Sequence, residues 1–354
     1  YKVLFCIALV VFVSLTIILY KYNKSKDIVI GLEINKFNSI TIIFTLVFIY
    51  ASAITVIGIS GLTYRIGFSG IWTALITASS GYVPLLFLGK KFSKIASQYN
   101  AQNFIELLGR RYKSNLIAVI SSFITIMLMF GLMVSQVVGA KYIIDAATDH
   151  SNFAFYLFIF LACLLFTIIG VRPPNIFNAL LGFLVFLISC FLVVALVKSG
   201  GGLVAIKEKI FSINADYFSP LGPAAYQISY FYIFSYWIYL GFGVLGVPTI
   251  SFRVVQYSSH LKTALLGGTI IIFIMTFNMA FIGLLAIPLL GNEVHGDEAL
   301  PLIIKHISSP LLSAALLFII SLTLLGIIKL QLLAVMGAFN ELLVKVYKLK
   351  KNIL

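Results

Sequence analysis

One lysine stands where lysines are costly. Lys329 lies in Leu324-Leu325-Gly326-Ile327-Ile328-Lys329-Leu330, about midway along the apolar run of residues 311–339. A lysine at the centre of a membrane helix costs roughly 2.5–3.5 kcal/mol on insertion scales, so it should face a partner or a wet cavity. The bland alternative is a side chain that snorkels to the inner interface. Two other stretches combine apolar residues with helix-weakening ones. Ile57-Gly58-Ile59-Ser60-Gly61-Leu62-Thr63-Tyr64 is followed by Arg65-Ile66-Gly67. Such a stretch can unwind, and freed carbonyls then bind a cation while freed amides bind an anionic group. The same glycines equally serve close helix packing. The run from Tyr226 to Pro248 repeats the theme, with Gly241, Gly243, Gly246 and Pro248 as breakers and Tyr230, Tyr232, Tyr236, Trp237 and Tyr239 crowding its outer half. Those aromatics suit an interfacial belt or a gate over a pocket beside the break. Two interrupted helices in separated positions point to a transporter's midplane site.

Enzyme chemistry has no visible machinery. There is no nucleophile elbow, P-loop, HExxH or pair of buried carboxylates. Glu33, Glu106, Asp145, Asp149, Glu293 and Glu341 lie at helix ends or in loops. Cys6, Cys163 and Cys190 show neither CxxC nor Cys/His spacing, and His150, His260, His295 and His306 are scattered. No metal site or cofactor is expected from these residues.

The elements that carry these residues must live in lipid. The chain of 354 residues is 61% hydrophobic and 10% charged, with mean hydropathy +1.09. A soluble domain has about 25% charged residues; this chain has too little polar surface to cover a wetted body. Runs of about 20 apolar residues, enough to span a core of about 30 Å, occupy 3–20, 38–61, 70–89, 116–144, 153–170, 176–198, 227–247, 263–290 and 311–339. Backbone in hydrocarbon must satisfy itself, so these runs are helices. The expectation is a single all-α polytopic domain over 1–354 with about nine helices. Tyr1 in place of Met suggests that the start of the gene product is missing, and 3–20 reads as a retained helix rather than a signal peptide.

The net charge of +14 does not indicate nucleic acid, because the bases lie in short loops between apolar runs. Seventeen Lys and Arg fall on one set of alternate loops and the tail, and seven on the other, which also holds Glu293, Asp297 and Glu298. This places the N-terminus outside and the C-terminal tail in the cytoplasm of a multi-pass plasma-membrane protein. Two segments do not span. Residues 100–112 read as a short amphipathic helix on the inner surface, and 200–218 as a Gly-started outer loop with a short helix. Both equally suit plain connections.

Three blocks resemble the sodium:solute symporter family, nearest its proline and pantothenate branch. Gly58-Ile59-Ser60-Gly61-Leu62-Thr63-Tyr64-Arg65-Ile66-Gly67 is similar to the family's G-x-x-G-x-x-Y-x-x-G. Asn103-Phe104-Ile105-Glu106-Leu107-Leu108-Gly109-Arg110-Arg111-Tyr112 resembles P-x-F-x-x-x-R-F/Y. It is followed by Ser135-Gln136-Val137-Val138-Gly139-Ala140-Lys141, like S/A-Q-x-x-G-A. Gly241, Gly243, Gly246, Pro248, Ile250 and Arg253 keep the spacing of G-x-G-x-x-G-Q-P-x-I-x-x-R.

The resemblance implies a LeuT-type inverted repeat preceded by one extra helix. Residues 38–198 would form the first repeat and the second would begin near 227, with its last core helices lacking. It also implies a cation site between the broken second helix and the ninth, here Phe48, Ala51, Gly326, Ile327 and Lys329. The family's two hydroxyls fall at Gly326 and Ile327. An acidic residue of the proline branch falls at Tyr50, and a T-D pair falls near Phe177 and Asn178. Lys329 stands where the family usually has Asp, and its compact charge can occupy a vacated cation site. The expected function is therefore secondary transport of a small organic solute, amino-acid-like or carboxylate, possible without sodium; the coupling ion, Na⁺ or H⁺, stays open. Ala51, Ser52, Thr55, Gly58, Gln136, Tyr236 and Tyr239 are the candidate pocket, with Thr55 and Gln136 hydrogen-bonding the solute and the tyrosines closing over it. The alternative is a non-transporting symporter-like sensor or structural module. A membrane enzyme ranks last.

Overall fold

The computed structural model describes residues 38–80, 83–101, 103–148, 175–247, 261–291 and 294–353, and they form an all-helical bundle with no strand among them. The expected spans at 3–20 and 153–170 lie outside these residues. In chain order come α1 (Ser39–Tyr50), a π turn (Ile54–Gly58), α2 (Ile59–Ile66), a 3₁₀ turn (Gly67–Gly70), α3 (Ile71–Ser80), α4 (Val83–Gln98), α5 (Phe104–Arg111) and α6 (Asn115–Thr148). Then follow α7 (Asn175–Ser199), α8 (Leu203–Ile213), α9 (Tyr230–Gly246), α10 (Leu261–Leu290), α11 (Gly296–Ile307) and α12 (Pro310–Ile353). Five helical stretches, within 54–77, 115–148, 176–199, 262–290 and 310–346, are long and apolar enough to cross a bilayer.

Each long helix sorts its residues by neighbour rather than by water. On α6, Ala118, Ser122, Thr125, Met129, Met133, Gln136, Gly139, Ala140 and Ile143 are buried at spacings of mostly three and four. Its other face exposes Leu116, Ile120, Phe123, Ile124, Met127 and Phe130. An apolar outer face is what lipid solvent requires. The inner stripe packs on α12. Ala118 near the start of α6 meets Ala338 late in α12. At the other end, Tyr142 of α6 stacks on His295 beside α11, and Ser313 at the start of α12 donates to Ile304 O of α11 at 3.1 Å. The two helices therefore run antiparallel.

At the first end, α5 is the short amphipathic helix expected for 100–112. Asn103 caps it by accepting from the Glu106 amide at 2.7 Å, and Ile105 and Leu107 are buried. At the second end, the segment around 200–229 folds over the start of α3. Trp72 Nε1 donates to Pro220 O at 3.0 Å, and the Arg65 guanidinium lies 5.1 Å from the centre of the Tyr226 ring. Arg65, Tyr142 and His295 gather at this end, whereas Arg110 and Lys113 lie beside α5 at the first end.

Two expected interruptions need correction. Gly58 and Gly61 lie inside helical turns, with φ −65° at Gly58; the chain breaks earlier, at Ala51–Ser52. And α9 runs unbroken through Gly241 and Gly243, while Pro248 lies outside the described residues. The physical reason is the same in both. A glycine in a helix costs only about 1 kcal/mol relative to alanine, which a buried bundle absorbs, so glycine permits a break without causing one.

Candidate functional site

The break is made by backbone geometry at Ala51 (φ −73°, ψ 43°), which ends α1 after the Ala51 amide has bonded back to Val47 and Phe48 carbonyls. Helix resumes with Ser52 O accepting from the amides of Thr55 at 3.0 Å and Val56 at 2.8 Å. The Ser52 and Thr55 hydroxyls are 3.3 Å apart and hydrogen-bonded to each other. The first turns after the break are π-helical, a wide form that is rare and frequently found at functional sites. Thr55, Val56 and Ile57 are buried there.

In an unbroken helix the Ala53 amide would donate to Ile49 O. It donates instead to Gln136 Oε1 of α6 at 2.8 Å, across 83 residues of sequence. Gln136 is 1% exposed, so this bond replaces a lost helical one without water. One turn further along α6, Gly139 lets the helices touch: a methyl there would lie 2.5 Å from Ala53 Cβ and 3.1 Å from Ile57 Cδ1. Gln136 and Gly139, three residues apart, share a face, and that face holds the break. Sequence reasoning assigned Gln136 to a solute; its Oε1 is occupied by the chain itself.

Glycines from four more elements press on the same interrupted helix. Gly182 of α7 faces the backbone at Phe44 and Phe48, and Gly283 of α10 faces the Ser60 carbonyl. Gly61 itself meets Gly296 of α11, where a methyl would come within 2.5 Å of Gly296 O. A methyl on Gly326 of α12 would lie 2.8 Å from Phe48 Cζ. The sequence motif around Gly58 is thereby explained piece by piece. Gly61 admits α11, the Tyr64 hydroxyl donates to Gly291 O, and Gly67 ends α2 with φ 68°, a left-handed conformation that suits glycine. Gly58 meets nothing closer than Ala53 O at 3.8 Å.

Of the expected cation-site residues, the structure brings Phe48 and Gly326 together, with the phenyl ring covering the glycine. Ile327 and Lys329 are buried on α12, and Ala51 is fully buried at the break. The expected pocket divides. Ala51, Ser52, Thr55 and Gln136 cluster at the break, with Gly58 at the end of the π turn. Tyr236 instead lies beside Thr77 of α3 and stacks with Tyr232 and Tyr239 on its own helix. Tyr239 is 66% exposed. Gly182, Gly283 and Gly296 went unseen in the sequence, and Gly139 stood in the block around Gln136 with no role assigned to it. Gly139 alone carried a signal, its i+3 spacing from Gln136. No group of three or more His, Cys, Asp or Glu among the described residues is placed to hold a metal.

A bundle of apolar helices drawn tightly around one interrupted helix, with the freed amide satisfied from inside, defines a polytopic membrane protein of the kind that keeps irregular backbone at membrane depth. A family model describing the sodium:solute symporter family matches residues 35–351. The chain belongs to the sodium:solute symporter family, whose members are transporters rather than enzymes. It is 26% identical over 271 residues to a sodium/pantothenate symporter of Haemophilus influenzae, covering 76% of this chain and 56% of that protein. It is 28% identical over 249 residues to a sodium/pantothenate symporter of Escherichia coli, covering 70% and 51%. The chain thus spans about half the length of the curated relatives it matches.

Proposed function

We propose that the protein is a secondary transporter of a small organic carboxylate, pantothenate being the first solute to test. It works by alternating access around the break at Ala51–Ser52 in a LeuT-type inverted repeat, in the plasma membrane with its N-terminus outside. The observation that carries this reading is the buried interruption itself. Half-helix N-termini at membrane depth attract anionic groups, and this one begins with two adjacent hydroxyls, Ser52 and Thr55. The names of the relatives supply the solute; the hydroxyl pair suits its polar groups.

The coupling ion is proposed to differ from the relatives'. Hard cations bind oxygen ligands. The two positions where the family resemblance expects hydroxyls are Gly326 and the buried hydrocarbon of Ile327, and the Phe48 ring fills the space over Gly326. Lys329, three residues and less than one helical turn from Gly326, supplies a positive charge to the same region in place of sodium. Uptake of labelled pantothenate by proteoliposomes carrying the full gene product tests both parts. Accumulation should persist when sodium is replaced by potassium on both sides, and should fall at least tenfold in Lys329→Met. Uptake that is strictly sodium-dependent and unchanged in Lys329→Met refutes the coupling proposal. Solute binding without any accumulation refutes transport and favours a sensor.

A further inference from the structure

Away from the break, a concentration of charge that the site does not use lies, among the described residues, at one end, on the elbow between α4 and α5. From Val83 to Leu116 the chain has six bases, Lys90, Lys91, Lys94, Arg110, Arg111 and Lys113, and one acid, Glu106. The elbow is built rather than loose. Arg110 donates to the carbonyls of Tyr99 at 2.7 Å and Asn100 at 2.8 Å and also pairs with Glu106. Phe92 of α4 stacks on Phe104 of α5 with ring centres 5.9 Å apart. Gly109 lies against Ala118, where a methyl would approach to 3.0 Å. Arg110 and Glu106 are thus consumed in holding the fold. The other five bases are exposed and face outward.

Their surroundings say what they face. On α4, Lys90, Lys91 and Lys94 follow Phe87, which is 78% exposed, at helical spacing. On the other side, Arg111 and Lys113 flank the exposed ring of Tyr112. One turn later α6 begins its apolar outer strip with Leu116, Ile120, Phe123 and Ile124. Bases and an aromatic ring immediately before a hydrocarbon-facing helix stand at the depth of lipid headgroups. Polybasic clusters in that position attract anionic lipid, and lipid meets both parts of the surface at once, phosphate against the bases and acyl chain against the exposed Phe87 and Leu116, which run on into the hydrocarbon-facing strip of α6.

We propose that the α4–α5 elbow is a docking surface for anionic phospholipid headgroups, which Lys90, Lys91, Lys94, Arg111 and Lys113 bind through phosphate while Phe87, Tyr112 and Leu116 lie against the acyl chains. The surface acts independently of what the protein carries.

Native mass spectrometry of the full protein from mixed micelles of phosphatidylglycerol and phosphatidylcholine tests this. The wild-type protein should retain phosphatidylglycerol in preference, and the preference should collapse in 1 M salt, where the Debye length falls to about 3 Å. The quadruple variant Lys90→Gln, Lys94→Gln, Arg111→Gln, Lys113→Gln should lose it, by about fivefold per base removed. Lys207→Gln with Lys209→Gln, on α8 at the opposite end, should keep it. Equal retention of both lipids by wild type overturns the proposal, as does a preference that survives high salt or that falls equally in the α8 variant. Should the quadruple variant not fold, the salt dependence and the α8 control still decide.

Discussion

Exchanging one methyl between two helices tests whether α6 holds the break in place. In Gly139→Ala the new carbon would lie 2.5 Å from Ala53 Cβ. Ordinary carbon contacts are about 3.5–4.0 Å, so the deficit is about 1.0–1.5 Å. Neither atom can rotate away, because each Cβ is fixed by its own backbone. The helices must part, and overpacking of this kind costs about 1–3 kcal/mol. Parting also strains the 2.8 Å bond from the Ala53 amide to Gln136. That side chain can follow a shift of about 1 Å, so about 2 kcal/mol is the working figure for the single variant. Ala53→Gly removes the opposing methyl and should cost about 1 kcal/mol for an added helical glycine and a lost buried carbon. The double variant restores one methyl between the helices. It should therefore be more stable than the sum of the singles by about 1–2 kcal/mol, a coupling of the size seen between residues in contact. Unfolding by SDS titration in mixed micelles, followed by helical signal, measures all three against wild type. Singles that add within about 0.5 kcal/mol, or a neutral Gly139→Ala, refute the contact.

Gln136→Leu should destabilise by about 1–3 kcal/mol in the same titration, because the buried Ala53 amide loses its acceptor; an unchanged midpoint would mean that the amide finds another. Gly326→Ala should cost less than Gly139→Ala although the approach is similarly close, 2.8 Å to Phe48 Cζ. The obstacle is the far end of a side chain with two torsions rather than a fixed Cβ, and Phe48→Leu should relieve most of the cost. A Gly326→Ala loss larger than that of Gly139→Ala, or one that Phe48→Leu leaves in place, would show that the ring is locked.

The sequence displayed the solvent plainly: composition and run length require helices in lipid, and the described residues are helices. It also displayed α5, through Asn103 three residues before Glu106 and a basic end at Arg110–Arg111. The break was legible only in part. Residue types pointed to Gly58 and Gly61, but glycine serves packing and unwinding alike, and here Gly61 packs against Gly296. The break at Ala51–Ser52 contains neither glycine nor proline. Ala51 and Ser52 entered the candidate pocket through family resemblance, not through local propensity. What fixes the break is Gln136, 83 residues away, and no local pattern encodes a contact of that range. For the same reason Gly182 and Gly283 read as ordinary helix residues: a close approach requires knowledge of what approaches.

An interrupted helix in hydrocarbon is unstable by default, because each unpaired backbone group away from water costs several kcal/mol. The bundle meets that cost in two ways. Gln136 returns a hydrogen bond to the amide that lost one. Glycines on α6, α7, α10, α11 and α12 bring five neighbours against the interrupted helix, replacing lipid with protein along its length. Close packing of small residues supplies dispersion contact where no hydrophobic effect operates between helices. The two halves are not held alike. Phe44 and Phe48, before the break, meet α7 and α12, whereas Ser60, Gly61 and Tyr64, after it, meet α10, α11 and the Gly291 carbonyl. α10 spans the Ala51–Ser52 joint, with Gly267 against Ile43 before it and Gly283 against Ser60 after it, whereas the close-packed glycines of α7 and α12 meet the first half and that of α11 the second. Relative movement of α7 and α12 against α11 would be taken up at this joint beside α10, and would reach Gln136 and Gly139 first, because α6 touches the chain at Ala53, just beyond it.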